Sequence, residues 1–397
     1  MKILVLSFYF EPDLCAGSFR ATALVNEFAR VMPAGSHLYV VTTLPNRYKT
    51  FSVKAPQIEH RQNITINRLA LPLHQSGMLD QAKAFWSFAR QVLRLVKSSE
   101  YDLVFATSSR LMTAVLGAWI ARQKKALLYL DIRDIFVDTI KDVLPRHLAV
   151  ITKPFFSALE QWAFRCSATI NLVSQGFEGY FVSRYAGQRL SFFTNGIDDE
   201  FIAVAPLESG TQKKEKGTVT VLYAGNIGEG QGLHAIIPEL AKRMRSRVHF
   251  RIIGDGGRLE LLRTTLKSDC IDNVELLPPV KRDQLINAYK EADVLFLHLN
   301  DYEAFRKVLP SKLFEYAAMG KPLWAGVSGY AAEFIQSEID NSAVFDPCDV
   351  LDAEQAFASL LLRDAPRTGF INKYARGKIM KEMAQDILQS AERRSLA

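Results

Sequence analysis

The 397-residue sequence contains few cysteines, and none of them are paired in a motif. Cys15, Cys166, Cys270 and Cys348 form no Cys-x-x-Cys spacing, and the seven histidines form no His-x-x-x-His or His-Glu-x-x-His spacing. These absences argue against a disulfide framework and a zinc motif. We therefore expect a reducing, cytoplasmic compartment and no protein-bound metal ion.

Long hydrophobic runs are absent too. A membrane span needs roughly 20 apolar residues, whereas the longest candidate, residues 111–121, is closed by Arg110 and Arg122. Residues 1–7 are too short for a signal peptide and lack a cleavage pattern, so we interpret them as a strand. A hydrophobic content of 48% and a charged content of 23% are typical of a globular protein with a large core.

The net charge of +7 is unevenly distributed. Basic residues outnumber acidic ones in 1–190 and 366–397, and acidic residues outnumber basic ones in 191–365. A basic half suits an anionic partner, such as nucleic acid, an acidic membrane surface or a phosphorylated substrate. A solvated basic surface is the plain alternative. Because no aromatic–basic recognition motif is present, nucleic acid is not an expected partner.

Short apolar runs alternate with helical patterns along the chain, which predicts an α/β fold with parallel sheets. Strands are predicted at residues 2–8, 37–42, 64–69, 102–106, 126–130, 168–173, 218–224, 249–253, 273–277, 293–297 and 322–325. Helices are predicted at residues 19–31, 111–122, 232–244, 259–266, 283–291, 311–319 and 330–336. This series predicts two doubly wound, Rossmann-like domains, residues 1–190 and 191–365. The polar segment 209–217 reads as a surface loop near their boundary.

Ligands of such domains bind beside the carboxyl ends of the strands. Gly17 follows the first strand and precedes a helix, where backbone N–H groups can bind a phosphate. The loop is not Gly-x-Gly-x-x-Gly, and an ordinary turn is equally compatible.

The second half has two glycine-rich turns after strands. Gly225 and Gly228 belong to the first, and Gly254 belongs to the second, which ends at Arg258. Two such turns favour a nucleotide-type ligand over a purely structural role.

A third segment combines a helix start with charge. Lys307, Ser311 and Lys312 lie at the predicted start, and Glu315 lies one turn later. Cations at a helix N-terminus suit a diphosphate, and an ionised glutamate suits ribose hydroxyls. A solvated charged turn is the alternative.

Asp131, Arg133 and Asp134 follow the strand 126–130 in the first half. Either aspartate could orient an acceptor hydroxyl, and Arg133 could hold a phosphate. An Asp–Arg ion pair that fixes the loop is the alternative.

Residues 79–97 show a long helical pattern. Its apolar positions are Ala82, Phe85, Trp86, Ala89, Val92, Leu93 and Val96. Its basic positions are Lys83, Arg90, Arg94 and Lys97. The pattern is compatible with a helix on an anionic membrane and with a sheet-covering helix that has a basic outer face.

The chain resembles the retaining glycosyltransferases of family 4, which have the two-domain GT-B fold. The residues that carry the resemblance are 195–198, 223–228, 231–233, 253–256, 288–289, 292–294, 310–315 and 319–322. Together with residues 107–109 and 131–134, they resemble the subgroup that builds bacterial surface polysaccharides such as O-antigen or capsule. Some members of that subgroup transfer N-acetylfucosamine.

The resemblance implies a transfer from a nucleotide diphosphate sugar, here expected to be UDP-linked and N-acetylated, to a hydroxyl of a lipid-linked glycan. Donor contacts are expected from Gly17, Gly225, Asn226, Gly228, Gly254, Arg258, Lys307, Ser311 and Glu315. Catalytic roles fall to Arg133, Asp134 and Lys312, and acceptor contacts to Ser108 and Asp131. The resemblance also implies retention of configuration, no metal ion, no cofactor beyond the donor, and domains that face each other across a cleft. Residues 366–397 are expected to return to the first domain as a helix.

The sequence departs from the family pattern at three positions. Lys307 replaces a glutamate that contacts the donor sugar, and Asn226 and Gln231 replace an arginine and a lysine. We hypothesise that Arg258, Arg306, Lys307 and Lys312 compensate for the lost cations. The departures also leave room for a non-catalytic scaffold of a polysaccharide assembly complex. A nucleotide-sugar 2-epimerase shares the fold and is the other alternative. Peripheral attachment to the inner face of the cytoplasmic membrane fits a lipid-linked acceptor.

Overall fold

The computed structural model describes residues 1–45, 54–72, 78–108, 111–143, 146–208 and 217–395. Its internal contacts divide the chain into two compact units. The first consists of Met1–Asn195 and Arg376–Ala397, and the second of Gly196–Ala375. The predicted surface loop 209–217 lies almost entirely outside the described residues.

Within the described residues, the first unit contains an eight-stranded sheet of order β3-β4-β2-β1-β5-β6-β7-β8. All neighbours are parallel except β3 and β4. The strands are β1 (Lys2–Leu6), β2 (His37–Thr43), β3 (Ile58–Arg61), β4 (Ile64–Leu69), β5 (Leu103–Ser108), β6 (Leu127–Ile132), β7 (Thr169–Leu172) and β8 (Arg189–Ser191). The central strands are buried, as expected for a parallel sheet covered on both faces.

The second unit contains, in its described part, a six-stranded parallel sheet of order β11-β10-β9-β12-β13-β14. The strands are β9 (Val219–Asn226), β10 (Val248–Asp255), β11 (Val274–Leu277), β12 (Val294–His298), β13 (Leu323–Gly326) and β14 (Ser342–Phe345). Its core is rich in aromatic rings, with Trp324 packed among Phe296, Phe345 and Phe357.

The helices cover the sheets in chain order. In the first unit they are α1 (Ala16–Val31), α2 (Met78–Leu95), α3 (Leu111–Lys124), α4 (Phe136–Val143), α5 (Arg146–Arg165) and α6 (Glu178–Arg184). In the second unit they are α7 (Asp199–Ile202), α8 (Leu233–Arg243), α9 (Leu259–Ser268), α10 (Arg282–Glu291), α11 (Lys312–Ala318), α12 (Tyr330–Glu338), α13 (Val350–Ala358) and α14 (Thr368–Tyr374). The last helix, α15 (Arg376–Ser395), belongs to the first unit. No described helix is both long enough and apolar enough to cross a membrane.

Every predicted strand is present within a few residues of its expected bounds. The strands that the sequence pattern missed, β3, β8 and β14, have three or four residues and lie at sheet edges. Edge strands are half exposed, so they lack the continuous apolar run by which a buried strand is recognised.

The observed units differ from the predicted domains at both boundaries. A boundary at 190 would cut through β8, which completes the first sheet, so the first unit continues to Asn195. A boundary at 365 would detach α14, whose Phe370 and Tyr374 pack against Phe314 of α11. In addition, Ile197 N–H donates to the Tyr374 carbonyl at 2.8 Å, which holds the end of the second unit to its beginning.

Helix α2 covers the first sheet, as one of the two interpretations of 79–97 predicts. Its inner face buries Phe85, Phe88 and Val92, and Phe88 contacts Phe8 at a ring-centroid distance of 5.2 Å. Trp86 was predicted on this apolar face, and that prediction is wrong, since its side chain is 72% exposed.

A buried ion pair links the ends of the first unit's strands. Asp131 is 1% exposed and accepts hydrogen bonds from both Nε and Nη2 of Arg20, from Thr107 and from Asn171. Arg20 also donates to the Phe193 and Thr194 carbonyls at 2.7 Å. Burial alone would raise the pKa of Asp131, but the Arg20 charge and these hydrogen bonds lower it. The proposed acceptor contact of Asp131 is therefore corrected: strand β6 extends through it, and protein groups occupy both carboxylate oxygens.

We expect Asp131→Asn to destabilise the first unit by about 3–5 kcal/mol, because it leaves the Arg20 charge buried without its partner. Hydrogen exchange of peptides from β6 and β7 in the full chain measures this loss. Glu354→Gln breaks the exposed pair with Arg243 and is the matched control, with an expected loss below about 1 kcal/mol. Equal effects of the two substitutions would contradict the assignment.

Candidate functional site

A lysine lies directly on a glycine at the carboxyl end of β9. Gly225 has a φ of 146°, and a Cβ atom there would overlap the side chain of Lys312. Lys312 is the first residue of α11, so the turn after β9 and the start of α11 meet at this point. The missing side chain at Gly225 is what admits the ammonium group to the backbone.

The Lys312 ammonium is held by a tyrosine rather than by an acid. Its Nζ donates to the Tyr223 hydroxyl at 3.3 Å and lies 4.6 Å from the centre of that ring. Among the described residues, Lys312 forms no ion pair with a carboxylate. Desolvation lowers the pKa of Lys312 to about 8, against the opposing attraction of Glu315. A cation with unused donors beside an open backbone can bind an anion.

Glu315 lies one turn further along α11 and is oriented by neighbours. Its Oε1 is 3.9 Å from Nη1 of Arg282, and its Oε2 accepts from the Tyr289 hydroxyl at 3.4 Å. Arg282 also pairs with Asp198, and with Glu200 at 2.6 Å. One guanidinium thus serves three carboxylates.

Sequence reasoning missed Arg282. It stands at the start of α10 in a polar stretch with no motif of its own. Its guanidinium carbon lies 4.7 Å from the ring centre of Phe201, close to the 195–198 segment. The negative charge of Asp198 in that segment is the sequence feature from which a basic partner could have been expected.

The two positions that lack family cations pair with each other. Asn226 Nδ2 donates to Gln231 Oε1 at 2.6 Å, and a Cβ at Gly228 would overlap the Asn226 amide. Gly228 is therefore required by this neutral pair, and the pair supplies no positive charge to the turn.

Two of the four cations invoked for compensation are engaged elsewhere. Arg258 forms an ion pair with Glu229, whose other oxygen accepts from Tyr302 at 2.6 Å. Arg306 lies 3.6 Å from Glu303 at the surface. Lys307 is half-buried at the end of a 3₁₀ segment, and Lys312 has the position described above. Of the four cations, Lys312 is the one that the structure places on the open backbone of Gly225.

Gly254 is explained by protein packing. In the β9–β10 register it faces Gly225, and a Cβ on it would overlap the Gly225 carbonyl. Gly256 has the same relation to the Ile227 carbonyl. These glycines allow the backbones of two neighbouring turns to pack against each other. Their presence is therefore explained without a direct contact to a ligand.

Ser311 is the N-cap of α11, and its side chain makes no capping hydrogen bond. The helix has seven residues, and its first turn includes 3₁₀-type bonds from Leu313 and Phe314 back to Pro310 and Ser311. Its dipole is therefore small, and the positive charge at this end comes mainly from Lys312.

A second group of predicted residues adjoins in the first unit. A Cβ on Gly17, in the first turn of α1, would overlap the Arg133 guanidinium. Nε of Arg133 is buried and has no hydrogen-bond partner among the described residues. Desolvation lowers the pKa of Arg133, against the opposing attraction of Asp134 and Asp131. A guanidinium beside the N-terminus of a helix without acidic first-turn residues suits an anion.

Ser108 and Asp134 complete this group. Ser108 is the last residue of β5, is buried, and accepts from the Arg133 N–H at 3.3 Å through its carbonyl. The side chain of Asp134 is exposed and directly follows Arg133. The structure therefore brings together Gly17, Ser108, Arg133 and Asp134 in one unit. It brings together Gly225, Lys312 and Glu315 in the other.

His298 fixes the glycine turn from the end of β12. Its Nδ1 donates to the Gln231 carbonyl at 2.7 Å, and its Nε2 accepts from the Cys348 N–H at 3.0 Å. The second contact requires a neutral ring, because a protonated Nε2 cannot accept. Burial lowers the pKa of His298 to about 4, against the opposing effect of the Gln231 carbonyl.

No cluster of three or more His, Cys, Asp or Glu side chains in the described ranges could hold a metal ion. A surface cavity of about 680 Å³ lies at the amino ends of β1 and β5, where Met1, Tyr101 and Asp102 line it. The predicted site residues lie at the opposite, carboxyl ends of the strands.

Two doubly wound parallel sheets, each in its own unit, define the GT-B fold. Residues 206–377 match the family model described as "Glycosyl transferases group 1". A relative from Escherichia coli K12, the "putative colanic acid biosynthesis glycosyl transferase WcaI", is 37% identical over 101 residues. That match spans 25% of this chain and 24% of the relative.

Solved structures with the same fold extend over nearly the whole chain. Trehalose 6-phosphate synthase from Burkholderia multivorans has a TM-score of 0.68 at 14% identity, covering 99% of both chains. WaaG, a glycosyltransferase involved in lipopolysaccharide biosynthesis, has a TM-score of 0.62 at 11% identity, covering 99% of this chain and 98% of its own. HepE from Anabaena, in complex with UDP-glucose, has a TM-score of 0.64 at 15% identity, covering 98% of this chain and 100% of its own.

We expect the second unit to lose stability as the pH falls from 6.5 towards 4. The folded state keeps His298 neutral, so below pH 6.5 the unfolded state binds more protons, and about 2 kcal/mol is lost between pH 7 and pH 5. Urea unfolding across this pH range, compared between wild type and His298→Gln, isolates the contribution. Parallel pH profiles for the two proteins would refute it.

Proposed function

We propose that the protein transfers a sugar from a nucleotide diphosphate sugar to a hydroxyl group of a lipid-linked glycan, in bacterial surface polysaccharide synthesis. The observation that carries this proposal is the Lys312 ammonium on the backbone of Gly225, with the Glu315 carboxylate one turn away. A cation and an acceptor pair at this spacing suit a diphosphate and a ribose, respectively. The group 1 glycosyltransferase match at 206–377 covers all three residues.

The donor half of the proposal belongs to the second unit. Lys312 binds the diphosphate, and Glu315 accepts hydrogen bonds from the ribose. Asn226, Gly228, Ser311, Lys307 and Arg258 are proposed neighbours of the donor, with Arg258 partly neutralised by Glu229. A UDP-linked, N-acetylated hexose or deoxyhexose remains the proposed donor. The HepE complex with UDP-glucose and the UDP-forming trehalose-phosphate synthases share this fold.

The acceptor half belongs to the first unit. Asp134 is exposed and orients the acceptor hydroxyl, while Ser108 supports the loop through its carbonyl. Arg133 and Gly17 form an anion-binding corner suited to a phosphate group of donor or acceptor. Asp131 takes no part, because its oxygens are engaged within the core.

The proposed reaction breaks the bond between the anomeric carbon and the diphosphate oxygen and forms a bond from that carbon to the acceptor oxygen. The acceptor proton passes to the departing phosphate on the same face, so configuration is retained. Negative charge grows on the diphosphate as it leaves, and the Lys312 ammonium stabilises it there. In this scheme a protein cation takes the role that a metal ion would otherwise have. The reaction would occur at the cytoplasmic side of the membrane that carries the acceptor.

A non-catalytic scaffold is the second candidate, and one observation favours it. The turn after β9 holds a neutral Asn226–Gln231 pair where the resemblance calls for two cations. Diphosphate binding would then rest on fewer charges than the family pattern implies. The two candidates differ in whether the chain binds a nucleoside diphosphate at all.

We expect the wild type to bind UDP, in the presence of EDTA, more tightly than it binds uridine. Lys312→Met should lose most of that difference, with UDP affinity reduced about 10- to 100-fold, since a hydrogen bond to a charged group is removed. Isothermal titration with uridine, UDP and GDP measures it. Lys267→Gln, an exposed cation on α9, is the matched control. Tight UDP binding by Lys312→Met would disprove the role of Lys312. Absence of binding to any nucleotide would favour the scaffold.

We expect Glu315→Gln to reduce UDP affinity about 10-fold or more and to abolish the discrimination against 2′-deoxy-UDP, since the ribose loses its charged acceptor. Arg282→Gln should weaken the same discrimination by releasing Glu315, and Arg282→Lys should restore part of it. Titrations with both nucleotides measure the ratio, which general destabilisation of the fold would leave unchanged. Full discrimination in Arg282→Gln would show that Arg282 does not position Glu315.

A further inference from the structure

The outer face of α2 carries an exposed tryptophan that neither group of site residues uses. Trp86 is 72% exposed, while Phe85, Phe88 and Val92 on the same helix are buried. The helix is therefore already packed against its own sheet on one face, and Trp86 projects from the other. Tryptophan is enriched at interfaces and at membrane surfaces, where one part of the ring meets an apolar phase and the indole N–H stays in contact with water.

Basic residues surround Trp86 on that face. Lys83, Trp86, Arg90, Arg94 and Lys97 follow one another at spacings of three and four residues, so they lie along one side of α2 and its immediate end. All five side chains are exposed. We refer to these five residues as the α2 stripe.

Among the residues that the structure describes, the cations of the α2 stripe have no acidic partner. In the described part of the chain, none of the four forms an ion pair, although ion pairs are frequent elsewhere on the surface, as at Arg243–Glu354 and Arg245–Asp272. Arg90 and Arg94 are one helical turn apart and repel each other. An anionic surface would relieve this repulsion.

One kind of partner meets both requirements. The headgroup region of an anionic bilayer offers negative charge to Lys and Arg, and beneath it an apolar layer for an indole ring. Nucleic acid would satisfy the cations, but the stripe contains a single aromatic side chain rather than a series on which bases could stack. The combination therefore favours lipid.

We propose that the α2 stripe is a membrane-docking surface that binds anionic phospholipid, with Trp86 inserted at the interface and the four cations against the headgroups. The proposal stands on the first unit alone and does not depend on nucleotide binding by the second. It identifies which face of the first unit approaches the membrane.

The full chain should bind vesicles of phosphatidylcholine with 30% phosphatidylglycerol in about 0.1 M salt, and should bind pure phosphatidylcholine vesicles only weakly. Arg90→Gln with Arg94→Gln should weaken partitioning about thirty-fold, given the attraction of each basic side chain to an anionic surface. Trp86→Ala should weaken it about tenfold through lost apolar contact. Brominated lipids should quench the tryptophan emission of the wild type more than that of Trp86→Phe.

Lys267→Gln with Lys290→Gln removes the same charge from exposed positions of the second unit and should leave vesicle binding unchanged. UDP titration of each variant checks that the second unit is intact, so loss of nucleotide binding and loss of docking are separate results. Because the stripe is exposed, melting temperatures should not change. Vesicle binding that survives both stripe variants, or binding of duplex DNA with none to anionic vesicles, would overturn the proposal.

Discussion

The contact between the Lys312 ammonium and the Gly225 backbone brings the start of α11 against the turn after β9, at the carboxyl edge of the second sheet. It exists because position 225 has no side chain, and because Gly254 on the neighbouring strand also lacks one. His298 at the end of β12 donates to the Gln231 carbonyl in the following turn and accepts from the Cys348 N–H, and the second bond needs a neutral ring. Packing, rather than an opposite charge, holds this lysine, so its charge remains available to a ligand.

Carboxylates that lie near an arginine have different roles in the two units. Asp131 and Arg20 satisfy each other completely inside the first unit, and Thr107 and Asn171 take the remaining acceptor capacity. Glu315 is oriented by Nη1 of Arg282 at 3.9 Å and by the Tyr289 hydroxyl at 3.4 Å, and 13% of its side chain is exposed. A fully buried carboxylate stabilises a fold, whereas one that is oriented and partly exposed can bind a substrate.

The sequence predicted those parts of the site whose residues lie close together along the chain. Glu315 three residues after Lys312, and glycines immediately after strands, are visible because a helix turn and a strand end have fixed periods. Arg282, some thirty residues away from Glu315, has no such local signature. The engagement of Arg258 by Glu229 was equally hidden, since ion pairs between separate loops depend on how the chain folds.

The sequence by itself determined the alternation of strands and helices in two doubly wound parts and the glycine turns, because hydrophobic periodicity and glycine conformation are properties of short segments. The GT-B expectation came from the family resemblance of its motifs. Only the tertiary structure decided that Asp131 is in the core and that Asn226 hydrogen-bonds to Gln231. It also decided that the unit boundaries fall at 195 and 375 and that Trp86 faces outward. Each of these depends on which distant surface covers a side chain. A helical pattern with apolar residues on several sides cannot specify which of them the sheet will cover.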